Sequence, residues 1–218
     1  MATRITRKEE AYNRLKSAII SGEVGPGEKL SENDLSASMS ISRTPIREAF
    51  RQLQMEGYIT VISNRGAFVS KLPTDEIEEI YDIISILEGY AAELATKNLI
   101  DSNLDKLKNL QQKLLLCATE KRYRDYVEKN TEFHRFITEM SGNLNLAKTV
   151  TELRSRVFRY RFTSVTIPGF LDKYAGDHDR IIEAIRQRDH ARARKYMTAH
   201  VLFVKEVLVS FLRDQGGN

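Results

Sequence analysis

The 218-residue chain has one cysteine, no tryptophan and only four prolines. A single thiol, Cys117, excludes an intramolecular disulfide and suits a reducing cytoplasm, the location expected here. No stretch approaches the roughly 18–20 uninterrupted apolar residues of a membrane helix, so a spanning protein is not expected. Met1 to Glu10 carries charges of both signs and no apolar core, unlike a secretory signal. Excess charge is scarce too: 34 Lys+Arg against 30 Asp+Glu leave +4. Of this, +3 falls in residues 1–72 and +1 in 73–218. So mild a balance permits nucleic-acid binding without demanding it. What the chain does have is 41% hydrophobic residues, enough for a real core.

Apolar residues at helical spacing, Ala11, Leu15, Ala18 and Ile19, predict a first helix, stopped by Gly22 and Gly25-Pro26-Gly27. Ser31, with Asp34 three residues on, caps a short second helix over about 31–38. Ser42 caps a third, with Pro45 in its first turn and Ile46, Ala49, Phe50 and Leu53 as its apolar face. After Gly57 the period changes. Ile59 and Val61 and then Phe68 and Val69 flank Ser63-Asn64-Arg65-Gly66, which predicts a hairpin. Leu72-Pro73-Thr74-Asp75 marks a domain boundary, giving domains 1–72 and 73–218.

Beyond Thr74 the pattern is helical throughout. Ile77, Ile80, Ile84, Leu87, Ala91 and Leu94 form one stripe, and Leu104, Leu107, Leu110 and Leu114 another. Further helices are expected over about 122–141, 143–165, 169–187 and 189–213. The expected fold is mainly α: an N-terminal winged helix-turn-helix, then an all-α antiparallel bundle of six or so helices.

In a winged helix-turn-helix the third helix enters the major groove by its N-terminal end. That end is Ser42-Arg43-Thr44-Pro45-Ile46-Arg47. Arg43 and Arg47 share a face and suit guanine edges; the Ser and Thr hydroxyls suit phosphates. Arg65-Gly66 places a cation at the hairpin tip, in reach of a DNA backbone or minor groove. These residues, with Asn33 in the second helix, are the candidate DNA contacts.

The segment Tyr12 to Ser70 resembles the DNA-binding domain of GntR-type bacterial transcription regulators. The carriers are Ile20-Ser21-Gly22-Glu23-Val24-Gly25-Pro26-Gly27-Glu28-Lys29-Leu30, Ile41-Ser42-Arg43-Thr44-Pro45-Ile46-Arg47-Glu48-Ala49 and Asn64-Arg65-Gly66-Ala67-Phe68-Val69. The all-helical remainder is similar to the FCD branch of that family, named for its fatty-acid-regulator-like C-terminal domain. One departure lies in the reader. Relatives carry arginine where Asn33 stands in Ser31-Glu32-Asn33-Asp34-Leu35, so a different operator half-site or a lower affinity is expected.

Four histidines remain: His134, His178, His190 and His200. With Arg188-Asp189 as a turn between antiparallel helices, His178 and His200 each lie eleven residues from Asp189. That puts both roughly 15 Å from the turn, at one height. His190 sits at the turn and is expected to face solvent. The resemblance implies more. Metal-binding FCD domains have an Asp four residues before a Phe-His histidine and two further histidines on the last two helices. His134, His178 and His200 match those three, and Asn130 stands in place of the Asp. Three imidazoles suit Zn²⁺ or Ni²⁺; a metal-free polar pocket is the alternative.

Arg154, Arg156, Arg159 and Arg161 crowd one segment. Arg154 and Arg161, seven apart, are candidate effector contacts, although each taken singly is more simply an exterior charge. The resemblance implies a small carboxylate effector. The family's arginine four residues before its Leu-Glu pair is here Ile84, ahead of Leu87-Glu88.

No catalytic residues are expected. Glu-x-x-His pairs, His-Glu-x-x-His, the Walker loop and Gly-x-Gly-x-x-Gly are all absent, so no organic cofactor is expected. The reading is a homodimeric regulator, expected to repress, that binds a pseudopalindromic duplex operator. A non-specific architectural DNA-binding protein is the first alternative, and a metal-dependent helical enzyme the second.

Overall fold

The computed structural model describes residues 6–20 and 22–216, with the side chains of all but Arg159 and Asp172. Ser21 of the first family motif and the Gly217-Asn218 tail lie outside the described residues. Two compact units divide between Leu72 and Pro73.

In the first unit, α1 (Arg7–Ile20), α2 (Glu32–Met39) and α3 (Arg43–Met55) precede a small sheet. Strands β2 (Ile59–Ile62) and β3 (Gly66–Val69) form the hairpin, antiparallel, with Ile59 opposite Val69 and Ile62 opposite Gly66. A two-residue strand, β1 (Lys29–Leu30), adds to the other edge of β3, giving the order β1-β3-β2. Sequence periodicity missed β1, because two residues carry no period. Ser31 caps α2 by accepting from the Asp34 N–H at 3.3 Å. Ser42 occupies the N-cap position of α3, but its side chain makes no capping hydrogen bond. Its expected capping role is corrected: the exposed hydroxyl is left facing outward. Leu15, Ile19, Ile46, Leu53 and Ile59 are fully buried in one core that seats α3 against the hairpin.

The second unit is all helix: α4 (Thr74–Lys97), α5 (Asp101–Thr119), α6 (Tyr123–Met140), α7 (Leu144–Val157), α8 (Arg161–Thr166), α9 (Phe170–Arg186) and α10 (His190–Asp214). The α4 helix packs chiefly on α10. Gly89 permits the close approach, since a Cβ there would lie 2.1 Å from the Thr198 hydroxyl and 3.2 Å from the Arg194 carbonyl. The two stripes read from the sequence face the core, with Ile77, Ile84, Leu107 and Leu114 fully buried. Cys117 is buried as well, and burial raises its thiol pKa.

The expected continuous helix over 143–165 is not observed. Val157, at φ −99° and ψ 0°, ends α7, and a 3-10 turn, Phe158–Tyr160, leads into the six-residue α8. No proline or glycine signals this break. Its reason is tertiary: the turn lets Tyr160, Arg161, Ser164 and Val165 all be buried.

Candidate functional sites

In the first unit, Asn33, Arg43, Arg47, Arg65 and Gly66 line one open groove of about 860 Å³ between α2, α3 and the hairpin. All five are exposed. Ser42, Thr44 and Pro45 stand at the start of α3 outside that lining. Arg47 is not free, since its Nε donates to Glu32 at 2.8 Å. The exposed pair is a weak restraint that phosphate competition can break. Sequence reading missed Lys29, Arg51 and Gln54, which line the same groove. Arg51 was within reach of the pattern, because 43, 47 and 51 continue one i, i+4 row. Lys29 depends on β1 and was not. Five cations and two carboxylates, Glu32 and Asp34, line this groove, which runs along α3 from Arg43 to Gln54. Such a surface fits a polyanion.

In the second unit, α6, α9 and α10 bring His134, His178 and His200 together at the buried centre of the bundle. The ligand atoms of the three lie within 4.8 Å of one another. Nε2 of His200 stands 3.0 Å from that of His178 and 3.3 Å from that of His134. The far nitrogens are held from behind. His134 Nδ1–H donates to Glu88 Oε2 at 2.8 Å, and His178 Nδ1–H to Gln111 Oε1 at 3.1 Å. Gln111 is itself oriented, donating to the Ala175 carbonyl at 2.8 Å. His134 and His178 therefore present bare Nε2 lone pairs toward the centre. His200 Nδ1 has no hydrogen-bond partner; the nearest carboxylate, Asp177, is 3.9 Å away. Phe133 packs on His178 and Tyr174 stacks on His200, with centroids 4.4 and 4.2 Å apart.

Burial lowers all three imidazole pKa values, that of His134 to about 3 with Arg154 adding to the shift. All three are neutral at pH 7, the form that ligates a metal. A metal with bonds of about 2.0–2.1 Å separates its nitrogens by about 3.3 Å at tetrahedral angles and about 3.0 Å at right angles. The two separations from His200 match that range, and carboxylate or amide backing of the far nitrogen is usual for metal-bound histidine. Asn130, on α6 one turn before His134, is buried; its Nδ2 donates to the Tyr174 hydroxyl at 3.4 Å while its Oδ1 has no partner. The three converging imidazoles are a donor set that fits a divalent cation, and Asn130 Oδ1, one helical turn before His134, is a buried oxygen without a partner.

Beside the histidines, Glu88 of α4 is 1% exposed. Burial alone would push its carboxyl pKa up, but the Arg154 guanidinium and the His134 imidazole hold it at about 2. Arg154 grips both carboxylate oxygens. Sequence reading passed over Glu88, although a signal was present: it lies on the buried row with Ile84 and Ala92, four residues either way. Both Arg154 and Arg161 are buried, so the expectation of exterior charges is corrected for them. Arg156 is exposed and pairs with Glu76. The Arg159 side chain lies outside the described residues. His190 is exposed at the start of α10, as expected.

No described helix is long and apolar enough to cross a membrane. Residues 7–69 match the bacterial regulatory proteins of the gntR family, and residues 79–203 match the FCD domain. A repressor of Escherichia coli K12, GlaR, is 30% identical over 88% of this chain and 91% of its own. An uncharacterized HTH-type transcriptional regulator of Bacillus subtilis, YdhC, is 29% identical over 87% of this chain and 85% of its own. Among solved structures, E. coli McbR/YncC superposes with a TM-score of 0.76 at 21% identity, covering 97% of this chain and 99% of that one. A helix-turn-helix head, a helical FCD body and relatives that are regulators rather than enzymes lead to one conclusion: the chain belongs to the GntR family of bacterial transcriptional regulators, in its FCD-domain branch.

Proposed function

We propose that the protein is a homodimeric, operator-binding repressor. Its FCD domain holds a divalent metal, zinc or nickel, on His134, His178, His200 and the Asn130 amide oxygen, and answers to a small carboxylate. The observation that carries the metal-linked part is the convergence of three neutral imidazoles whose Nε2 atoms are 3.0 and 3.3 Å apart. When bound, the metal supplies a Lewis-acid centre able to take a ligand oxygen.

The protein's own residues do the rest. Glu88 and Gln111 set the tautomers of His134 and His178. Arg43, Arg47, Arg51 and Arg65 offer the cations of the reading groove, and Ser42 and Thr44 offer hydroxyls to phosphates. A dimer would present two such grooves to two half-sites about one helical turn apart. A ligand that changes their spacing weakens DNA binding, and linkage requires DNA to weaken the ligand by the same factor.

The test is Arg43→Ala, followed by fluorescence anisotropy on duplexes from the protein's own promoter region and on scrambled DNA. Operator affinity is expected to fall about 10- to 100-fold, the cost of one bidentate base contact of ~1–3 kcal/mol. Scrambled DNA should lose far less, and metal content and melting temperature should stay unchanged. An equal loss on both duplexes would make Arg43 a phosphate contact and leave specificity elsewhere.

A further inference from the structure

Resting on the reading of the FCD domain as the effector domain, we infer that Arg161, not Arg154, is the anchor for the ligand's charge. We further infer that the ligand is a monocarboxylate with a short apolar skeleton, admitted by displacement of α8.

The two arginines differ in what faces them. Arg154 is neutralised by Glu88 and keeps only Nη1 without a partner. Arg161, also 8% exposed, has no carboxylate partner among the described residues. It donates to the Thr131 hydroxyl at 3.0 Å and lies over the Phe158 ring, 5.7 Å from its centroid. Among the described residues this buried guanidinium meets only a hydroxyl and a ring, and a buried charge so placed is costly unless an anion completes it. Both arginines line one cavity, together with Tyr81, Asn130, Ser164 and Tyr174. Three of the lining residues carry unpartnered buried atoms: Arg154 Nη1, Asn130 Oδ1 and the Tyr81 hydroxyl. Their number is high for one buried site, where polar groups are ordinarily satisfied.

The rest of the lining limits the ligand. It is made by Val127, Val165, Phe170, Val201 and Val204. Arg161, without a carboxylate partner among the described residues, matches one carboxylate; a second carboxylate would lie among valines and phenylalanine in a lining whose other guanidinium, Arg154, is already paired with Glu88. A short hydrocarbon or aromatic skeleton instead buries apolar surface there.

The cavity is about 20 Å³, against the ~300 Å³ or more usual for small-molecule sites. Something must move, and α8 is placed to do so. It supplies Arg161, Ser164 and Val165 to the lining and is only six residues long. It lies between the 3-10 turn and Gly169, whose φ of 76° gives the chain a second sharp bend.

The test uses thermal melts of the full-length protein in butyrate, benzoate, succinate, citrate and chloride at matched ionic strength. Butyrate or benzoate is expected to raise the melting temperature saturably by several degrees over chloride. Succinate and citrate should do so at least fivefold less. Arg161→Met should abolish the rise while its own melting temperature equals or exceeds that of wild type, since a buried unpaired charge has been removed. Arg161→Lys should keep part of the response.

A response to benzoate or butyrate unchanged in Arg161→Met would overturn the inference. So would a basal melting temperature that falls as far in Arg161→Met as in Arg154→Met, which would make Arg161 structural. Citrate as the strongest stabiliser, or no organic anion exceeding chloride, would also overturn it. In that last case operator binding through Arg43 and the metal content, measured separately, still report on the broader reading.

Discussion

Arg154→Met is expected to destabilise the C-terminal domain by about 3–5 kcal/mol, the usual cost of orphaning one member of a buried ion pair. At ~2–4 °C per kcal/mol for a chain of this size, that is a fall in Tm of roughly 10 °C, readable by calorimetry. The reason is Glu88. Its carboxylate is almost completely buried and satisfied by Arg154 on α7 and by His134 Nδ1–H on α6, so it ties α4, α6 and α7 together. Without the guanidinium, Glu88 must either stay charged in a dry core or take up a proton. The double variant Glu88→Gln/Arg154→Met should recover much of the loss, because no charge is then left alone. An Arg154→Met protein within about 1 kcal/mol of wild type would mean the pair is screened by water, contrary to its burial.

The second large effect is expected from metal. Protein stripped with a chelator should gain about 4 kcal/mol of stability when free zinc reaches 1,000 times its dissociation constant, as mass action requires of a ligand that binds only the folded state. Elemental analysis of tag-free protein should find close to one metal per chain. His178→Ala removes one of three converging Nε2 donors, and its zinc-dependent gain should shrink below about 1 kcal/mol. Gln111→Ala should weaken zinc binding about 10- to 100-fold, since Gln111 only orients His178. Wild-type protein that retains no zinc, nickel or manganese after incubation would show that Asn130, in place of an acid, leaves the donor set too weak. The three imidazoles would then be contacts for an organic ligand.

How much of this was legible beforehand depends on the distance over which each feature is decided. The proposed DNA-reading groove is nearly all local. Arg43 and Arg47 fall on one face because a helix repeats every 3.6 residues, and Arg65-Gly66 reaches a tip because the hairpin turn is short. Lys29 entered only when two residues paired with β3, a contact across nearly 40 positions. The level placement of His178 and His200 followed from equal counts on either side of one turn, and they meet at 3.0 Å. His134 joined them through resemblance, since no spacing rule links α6 to α9 and α10.

The buried polar core was the least legible part. Arginines near the end of an amphipathic helix are ordinarily solvated, and one sequence cannot say that Glu88, 66 positions away, neutralises Arg154. Nor could periodicity find the break at Phe158–Tyr160, which carries neither proline nor glycine. By itself, then, the sequence determined the helices, the hairpin, the reading surface and the family, all products of short-range preference and periodic burial. The tertiary structure alone decided which charges are buried, which are paired and which of two arginines lacks a carboxylate partner among the described residues. Those outcomes depend on desolvation and on partners brought together from distant helices, and neither is a property of any local stretch of chain.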